Sequence, residues 1–266
     1  MTNWFELLTG FTETREAVRT QLEVVGTELR SKANGRAYGI GSFEMASLAD
    51  LRARVAAGTG AAGQPRVSIV QGDVGEMHRA TEYGGALFQV ASQFNALEMP
   101  SPGVTPEHGV TGYVHVHTQG AACAMAAGAA TIYRNYFVPV EDGVGQSVQT
   151  QLNGLADIGL ELSRALSRPV SELWDWRNGY ALCTREGLEL ITRHLGRIDM
   201  EGLDALAGLL RIGLHADVEV TAGGAPRQLV SQAFCSALPV AYGHVPQVRW
   251  ADFAKLVLDA AYEATL

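Results

Sequence analysis

The chain has 266 residues, 47% of them hydrophobic and 18% charged, and carries a formal net charge of -8. That balance predicts a globular protein with a sizeable core and excludes a disordered chain. The acidic charge, without any Lys/Arg cluster, argues against a nucleic-acid surface, which must neutralise phosphates.

The opening residues, MTNWFELLTG, have neither a basic n-region nor an apolar h-region. No apolar run reaches the roughly 18 residues that a membrane span needs, so a cytoplasmic protein without membrane contact is expected. Cys123, Cys183 and Cys235 are far apart with no CxxC pair, which predicts buried thiols and not a disulfide framework.

Thr12 is placed to cap a helix running to about Lys32, with Leu22, Val25 and Leu29 on one face and Asn34-Gly35 as its stop. Ser47 and Asp50 resemble a capping box, with Leu48, Leu51 and Val55 as the buried stripe behind them. The small residues from Gly58 to Gln64 read as a junction. Residues 1–64 are therefore expected to form an N-terminal helical extension packed on an α/β domain over residues 65–266.

Val67, Ile69 and Val70 predict a buried strand that breaks at Gln71-Gly72-Asp73. A second apolar run, Ala86 to Ala91, ends in Ser92, Gln93 and Asn95. Two strands finishing in polar residues suggest a crevice outside the carboxyl ends of a sheet. A long Pro- and Gly-rich stretch, Pro100 to Thr118, leads to Gln119-Gly120 at the start of a small-residue helix, AACAMAAGAAT.

Tyr133 to Val140 reads as a strand, and Gly154 to Leu166 as a helix capped by Asn153. Asn178-Gly179 between Trp174 and Leu182 is a hairpin signal. Helices are expected over Glu186–His194 and Leu203–Leu210, and strands over Ile212–Val220 and Leu229–Phe234. A last helix from Trp250 to Leu266 turns Phe253, Leu256, Val257 and Ala260 inward. This alternation predicts a three-layer α/β/α sandwich with a mixed sheet.

Several polar residues have two readings. Asp73 after a strand is either a ligand acid or ordinary turn chemistry. Gln119-Gly120 can hold an anion on free helix N–H groups, as any helix start can. Asn95, Glu98 and Glu107 are polar candidates for activating a water, with solvated loop acids as the plain alternative for the two glutamates. His115 and His117, with His108 or Cys123, do not follow a structural-zinc spacing, so no metal is expected.

The stretch Val67-Ser68-Ile69-Val70-Gln71-Gly72-Asp73-Val74 resembles the macrodomain superfamily, the ADP-ribose-binding fold with poly(ADP-ribose) glycohydrolase-like members, where a strand ends in Gly-Asp-Ile. Ala86-Leu87-Phe88-Gln89-Val90-Ala91-Ser92 sits where that family has a strand ending in Asn-Ala-Ala-Asn. Ala233-Phe234, followed by Tyr242-Gly243 and Pro246, is similar to the family's second ligand loop. Gln89 and Ser92 replace the family's asparagines, Ala96-Leu97-Glu98 replaces its glycine run, and Leu238-Pro239-Val240 replaces Ser-Thr-Gly. The adjacent glutamates of the glycohydrolase-like branch have no counterpart near Gln119-Gly120.

The resemblance implies a macrodomain-like sandwich in which Asp73 recognises an adenine amino group and Tyr242 lies near the distal ribose. With Gln89, Ser92, Gln119, Gly120 and Ser236 these complete the expected ligand set, and Asn95, Glu98 and Glu107 the expected catalytic set. The implied partner is a small nucleotide, ADP-ribose or a derivative, free or on an ADP-ribosylated macromolecule, with no cofactor. Hydrolysis of an ADP-ribosyl bond is one expected function, and a non-catalytic reader or sensor is the alternative. An α/β enzyme acting on an unrelated nucleotide or sugar phosphate is a third.

Overall fold

A computed structural model describes residues 3–58, 66–222, 227–236 and 247–265, without the side chains of residues 236, 247–252 and 254. Asn3 starts helix α1 (Trp4–Thr9) by accepting the Glu6 N–H at 2.9 Å, which satisfies a donor that the first turn leaves unpaired. Thr14 does the same for α2 (Arg15–Gln21). The helix expected as far as Lys32 ends here. Gln21 passes directly into β1 (Leu22–Val25), which turns at Gly26 into β2 (Glu28–Ser31), and Gly35 precedes β3 (Ala37–Gly39). Both glycines have positive φ, 59° and 71°, which is why the chain reverses there. Leu22 and Leu29 are buried, as expected, but on a hairpin; Val25 is exposed, and the β-branched pair Val24-Val25 favours the strand.

β4 (Ser42–Ser47) joins the main sheet, so the N-terminal stretch supplies strands as well as the helices expected of it. The capping box forms at α3 (Leu48–Ala56) with Leu48 buried, but Val55 is 77% exposed and is not part of a buried stripe. Residues 66–71 form neither helix nor strand, in place of the buried strand expected over Val67–Val70. No described strand pairs with them, and their apolar side chains are exposed.

α4 (Val74–Arg79) follows, then β5 (Leu87–Ser92), α5 (Gln119–Ala126) and α6 (Gly128–Tyr136). The strand expected from Tyr133 is the end of α6: Ala129, Ile132 and Tyr136 bury one face at helical spacing, and that period outweighs local strand propensity. Only β6 (Pro139–Val140) is extended, paired with β7 (Gly143–Val144). The remaining expected elements form, as α7 (Ala156–Leu166), β8 (Trp174–Arg177), β9 (Tyr180–Cys183), α9 (Arg185–Leu195), α10 (Met200–Gly208), β10 (Arg211–Glu219), β11 (Leu229–Ser236) and α11 (Gln247–Thr265), with a short helix α8 (Val170–Leu173) in addition. Asn153 does not cap α7, whose N-cap is Leu155, but accepts the Leu155 N–H at 2.9 Å in the turn before it. Asn178 and Gly179, both at positive φ, make the β8–β9 turn.

The main sheet is mixed, in the order β4-β10-β11-β5, with β4, β10 and β11 antiparallel in succession and β11 parallel to β5. Side chains alternate along β11. Ala233 and Cys235 join the core formed with Phe253 and Val257 of α11, while Val230 and Phe234 pack with Ala127, Ala130 and Cys123 around α5 and α6. Helices thus cover both faces, giving a mixed α/β fold. Among the described residues no helix is long and apolar enough to cross a membrane.

Candidate functional site

β5 and β11 run side by side and finish level, with Ser92 opposite Ser236. Polar groups outside such paired carboxyl ends are where open α/β sheets take ligands. Ser92 is buried on the α5 face, its Oγ donating to the Gln93 carbonyl at 3.0 Å. Gln89, an odd number of residues away, faces the other side, where it reaches Cys235 and is otherwise exposed. The structure therefore does not bring Gln89 and Ser92 together.

Beyond Ser92 the chain makes a tightly tied loop. Gln93 holds Met99 with both ends of its amide, accepting the Met99 N–H at 2.6 Å and donating to its carbonyl at 2.8 Å. Asn95 is wholly buried: its Nδ2 donates to Gln151 and its Oδ1 accepts the Leu97 N–H. Those bonds use its amide for loop structure. Ala96 adopts a left-handed φ of 58°, a conformation that costs free energy for a residue with a Cβ and needs outside support.

Glu98 ends this loop, 8% exposed. Its Oε1 accepts from Thr118 Oγ1 at 2.7 Å, and Thr118 also caps α5 by accepting the Ala121 N–H at 3.1 Å. Burial raises the Glu98 pKa, and the Thr118 hydroxyl opposes that shift. Gly120, in the first turn of α5, leaves no room for a side chain: a Cβ there would lie 2.3 Å from Glu98 Oε2 and 2.4 Å from the Ala91 carbonyl. The small residue thus admits the protein's own carboxylate and strand end against the helix start.

Asp73 is exposed and caps α4, its Oδ1 accepting from Gly75 at 2.7 Å and Glu76 at 3.1 Å. Gln119 clamps the same turn, accepting the Val74 N–H at 3.0 Å and donating to the Gly72 carbonyl at 3.4 Å. Gln119, Gly120 and Glu98 are in this way joined by successive contacts, with Asp73 in the turn that Gln119 clamps, and Ser92 lines the same cavity as Glu98 and Gly120. Glu107 stands apart, exposed, taking the Val148 N–H at 2.9 Å with Arg15 3.8 Å away. Partial burial pushes its pKa up, but the hydrogen bonds and Arg15 outweigh this and hold it below the usual range. Ser236 is placed by its backbone alone, and Tyr242 lies outside the described residues.

Arg134, which pattern reading passes over, occupies the floor of the site at 1% exposure. Its Nε donates to the Ala96 carbonyl at 3.2 Å, Nη2 to Thr131 Oγ1 at 2.9 Å and Nη1 to His215 at 2.9 Å, with the guanidinium 4.1 Å above the Phe234 ring. Burial pulls its pKa down to about 9, which leaves it a cation at neutral pH. One charge thereby ties the strained Ala96 loop to β10 and to the end of β11. Arg134, Glu98, Tyr113, Thr131 and Ser92 line a cavity of about 10 Å³, the scale of one water molecule. A lone arginine inside the apolar run from Ala121 to Phe137 is the sequence signal that could have found it.

His115 and His117 are exposed, and among the described residues no three His, Cys, Asp or Glu side chains are grouped to hold a metal ion. The three cysteines are free and buried, and burial pushes each thiol pKa up to about 12, which removes thiolate nucleophiles. Comparison of the chain with protein-family models, with curated proteins and with solved structures gives no match in any of the three.

Proposed function

We propose that the protein binds ADP-ribose or a related NAD-derived nucleotide at the carboxyl ends of β5 and β11, and that Glu98 serves there as the acid-base group for hydrolysing an ADP-ribosyl bond. The observation that carries the reading is the level ending of these two parallel strands, Ser92 beside Ser236, with the first turn of α5 packed against them. The macrodomain-like resemblance of the Gly72-Asp73 turn, β5 and the Ala233-Phe234 strand end lies along the same edge. Asp73 caps α4 through one oxygen, which leaves the other for an adenine amino group.

In hydrolysis a water would attack the anomeric carbon, or the acyl carbon of an ester, while Glu98 takes its proton and the leaving group departs. A carboxyl pKa raised by burial suits that role, because a base works best with its pKa near the working pH. The burial of Glu98 behind Thr118 and Gly120 favours a second reading, a non-catalytic reader that uses the same crevice.

Calorimetric titration with ADP-ribose and a product assay on ADP-ribosylated substrates separate these. Asp73→Ala should weaken binding by about 1.5 to 3 kcal/mol, the worth of a hydrogen bond to a charged group. Glu98→Gln should keep binding and lower turnover by about 10² to 10⁴. Unchanged turnover removes Glu98 from the chemistry, absence of turnover in the wild type leaves the reader, and absence of binding overturns both.

A further inference from the structure

Val67, Ile69 and Val70 are 66%, 101% and 47% exposed, and Leu87, at the start of β5, is 49% exposed. Single exposed apolar residues need no explanation, but four on a strand-like sequence and on a sheet edge are a liability that folded proteins usually cover. β5 is the outer strand of the four-stranded sheet. Ser231 donates its N–H to the Ala86 carbonyl, which fixes the parallel ladder. Phe88 and Val90 therefore turn their backbone groups to β11, while Leu87, Gln89 and Ala91 turn theirs to the outer edge.

The segment that carries the other three residues is tethered at the right end of this edge. Its last residues run into Gly72 and Val74, both held by the Gln119 side chain, and the neighbouring Gly120 is packed on the Ala91 carbonyl. A chain running from Arg66 to that anchor along β5 is parallel to it. Five residues at about 3.3 Å each span the same length as Leu87–Ala91. Val67 then comes level with Leu87, Ile69 with Gln89, and Gln71 with Ala91.

We infer that residues 67–71, unpaired in this structure, dock on the outer edge that β5 presents among the described residues as a fifth, parallel strand, taking up the outward N–H and C=O groups of Leu87 and Gln89 and the N–H of Ala91, whose carbonyl Gly120 already covers. Val67 and Leu87 then cover each other, and Val70 falls on the face that Val90 shares. The crevice gains a third strand end, Gln71, beside Ser92 and Ser236. The inference is independent of which ligand the crevice takes.

The test is a pair of disulfide traps in the full chain, Val67→Cys with Leu87→Cys and, out of register, Gln71→Cys with Leu87→Cys. The native cysteines are buried and high in pKa, so they compete poorly. The in-register pair should close within one chain at least about tenfold faster, since cysteines with Cα atoms more than about 7 Å apart do not bridge without movement. In the wild type, the Leu87, Gln89 and Ala91 amides should resist hydrogen exchange. Equal trapping rates, bridges joining two chains, or free exchange at those amides would overturn the inference.

Discussion

Arg134 donates from Nη1 to Nδ1 of His215 at 2.9 Å, with both residues 1% exposed. A guanidinium can only donate, so Nδ1 is the acceptor and the proton of the neutral imidazole sits on Nε2, which donates to the Ile40 carbonyl at 2.6 Å. Burial, and then the Arg134 charge, push the His215 pKa well below its ordinary value. The pair runs from the Ala96 loop through β10 to the residue that follows β3.

His215→Phe keeps the ring between Phe43 and Tyr133 but leaves the Arg134 Nη1 and the Ile40 carbonyl without partners. The cost should be about 3 kcal/mol in urea unfolding, the upper range for a hydrogen bond to a charged group, and a loss below about 1 kcal/mol would contradict the network.

His215 and His78 both have pKa values lowered by burial, so the unfolded chain takes up their protons first as pH falls. Their contribution is complete above the unfolded value of about 6.5 and is lost as pH drops below it. Chemical denaturation should show stability declining on the acid side of that value, less steeply in His215→Phe. A pH-independent stability between about 5 and 7 would speak against two buried neutral histidines.

Glu98 titrates in the opposite sense. Its raised pKa means that the folded state holds the proton longer, so its favourable contribution is present below the unfolded carboxylate value and disappears as pH rises through the folded one. Glu98→Gln should therefore raise Tm at pH 7, with the gap closing below about pH 4.5. A lower Tm at neutral pH would mean that the carboxylate stabilises the loop instead.

Gly120→Ala sets a methyl against the Ala91 carbonyl, which is backbone and cannot swing away. About 1 to 3 kcal/mol of destabilisation is expected from such overpacking. Gly112, where an added Cβ would meet no atom within 4 Å, should accept alanine with little change. Equal Tm shifts for the two would show that α5 is free to move off β5.

Much of this fold is legible in the sequence where pattern and burial agree. The strands β10 and β11, the Asn178-Gly179 hairpin and the face of α11 with Phe253, Val257 and Ala260 follow from periodicity and turn chemistry alone. The stretch from Thr12 to Lys32 does not, because Leu22 and Leu29 fit a helix face and a hairpin face equally well, and the positive φ of Gly26 decides between them. Tyr133–Tyr136 looks extended locally and is helical because Ile132 and Tyr136 share a buried face. Around the candidate site, the strand end at Ser92 and the helix start at Gln119-Gly120 follow from such signatures, whereas the strand expected before Asp73 does not form. Arg134 and His215 could not be paired, being 81 residues apart and joined only by tertiary packing.

The central claim is that a nucleotide of the ADP-ribose class binds where β5 and β11 end. Its most direct test is titration of isotope-labelled protein with ADP-ribose, followed through the backbone amides. The account predicts saturable shifts centred on Ser92, Gly120 and Ser236, with those of β1 and β2 unmoved. Shifts centred elsewhere, or none at millimolar ADP-ribose, would contradict it.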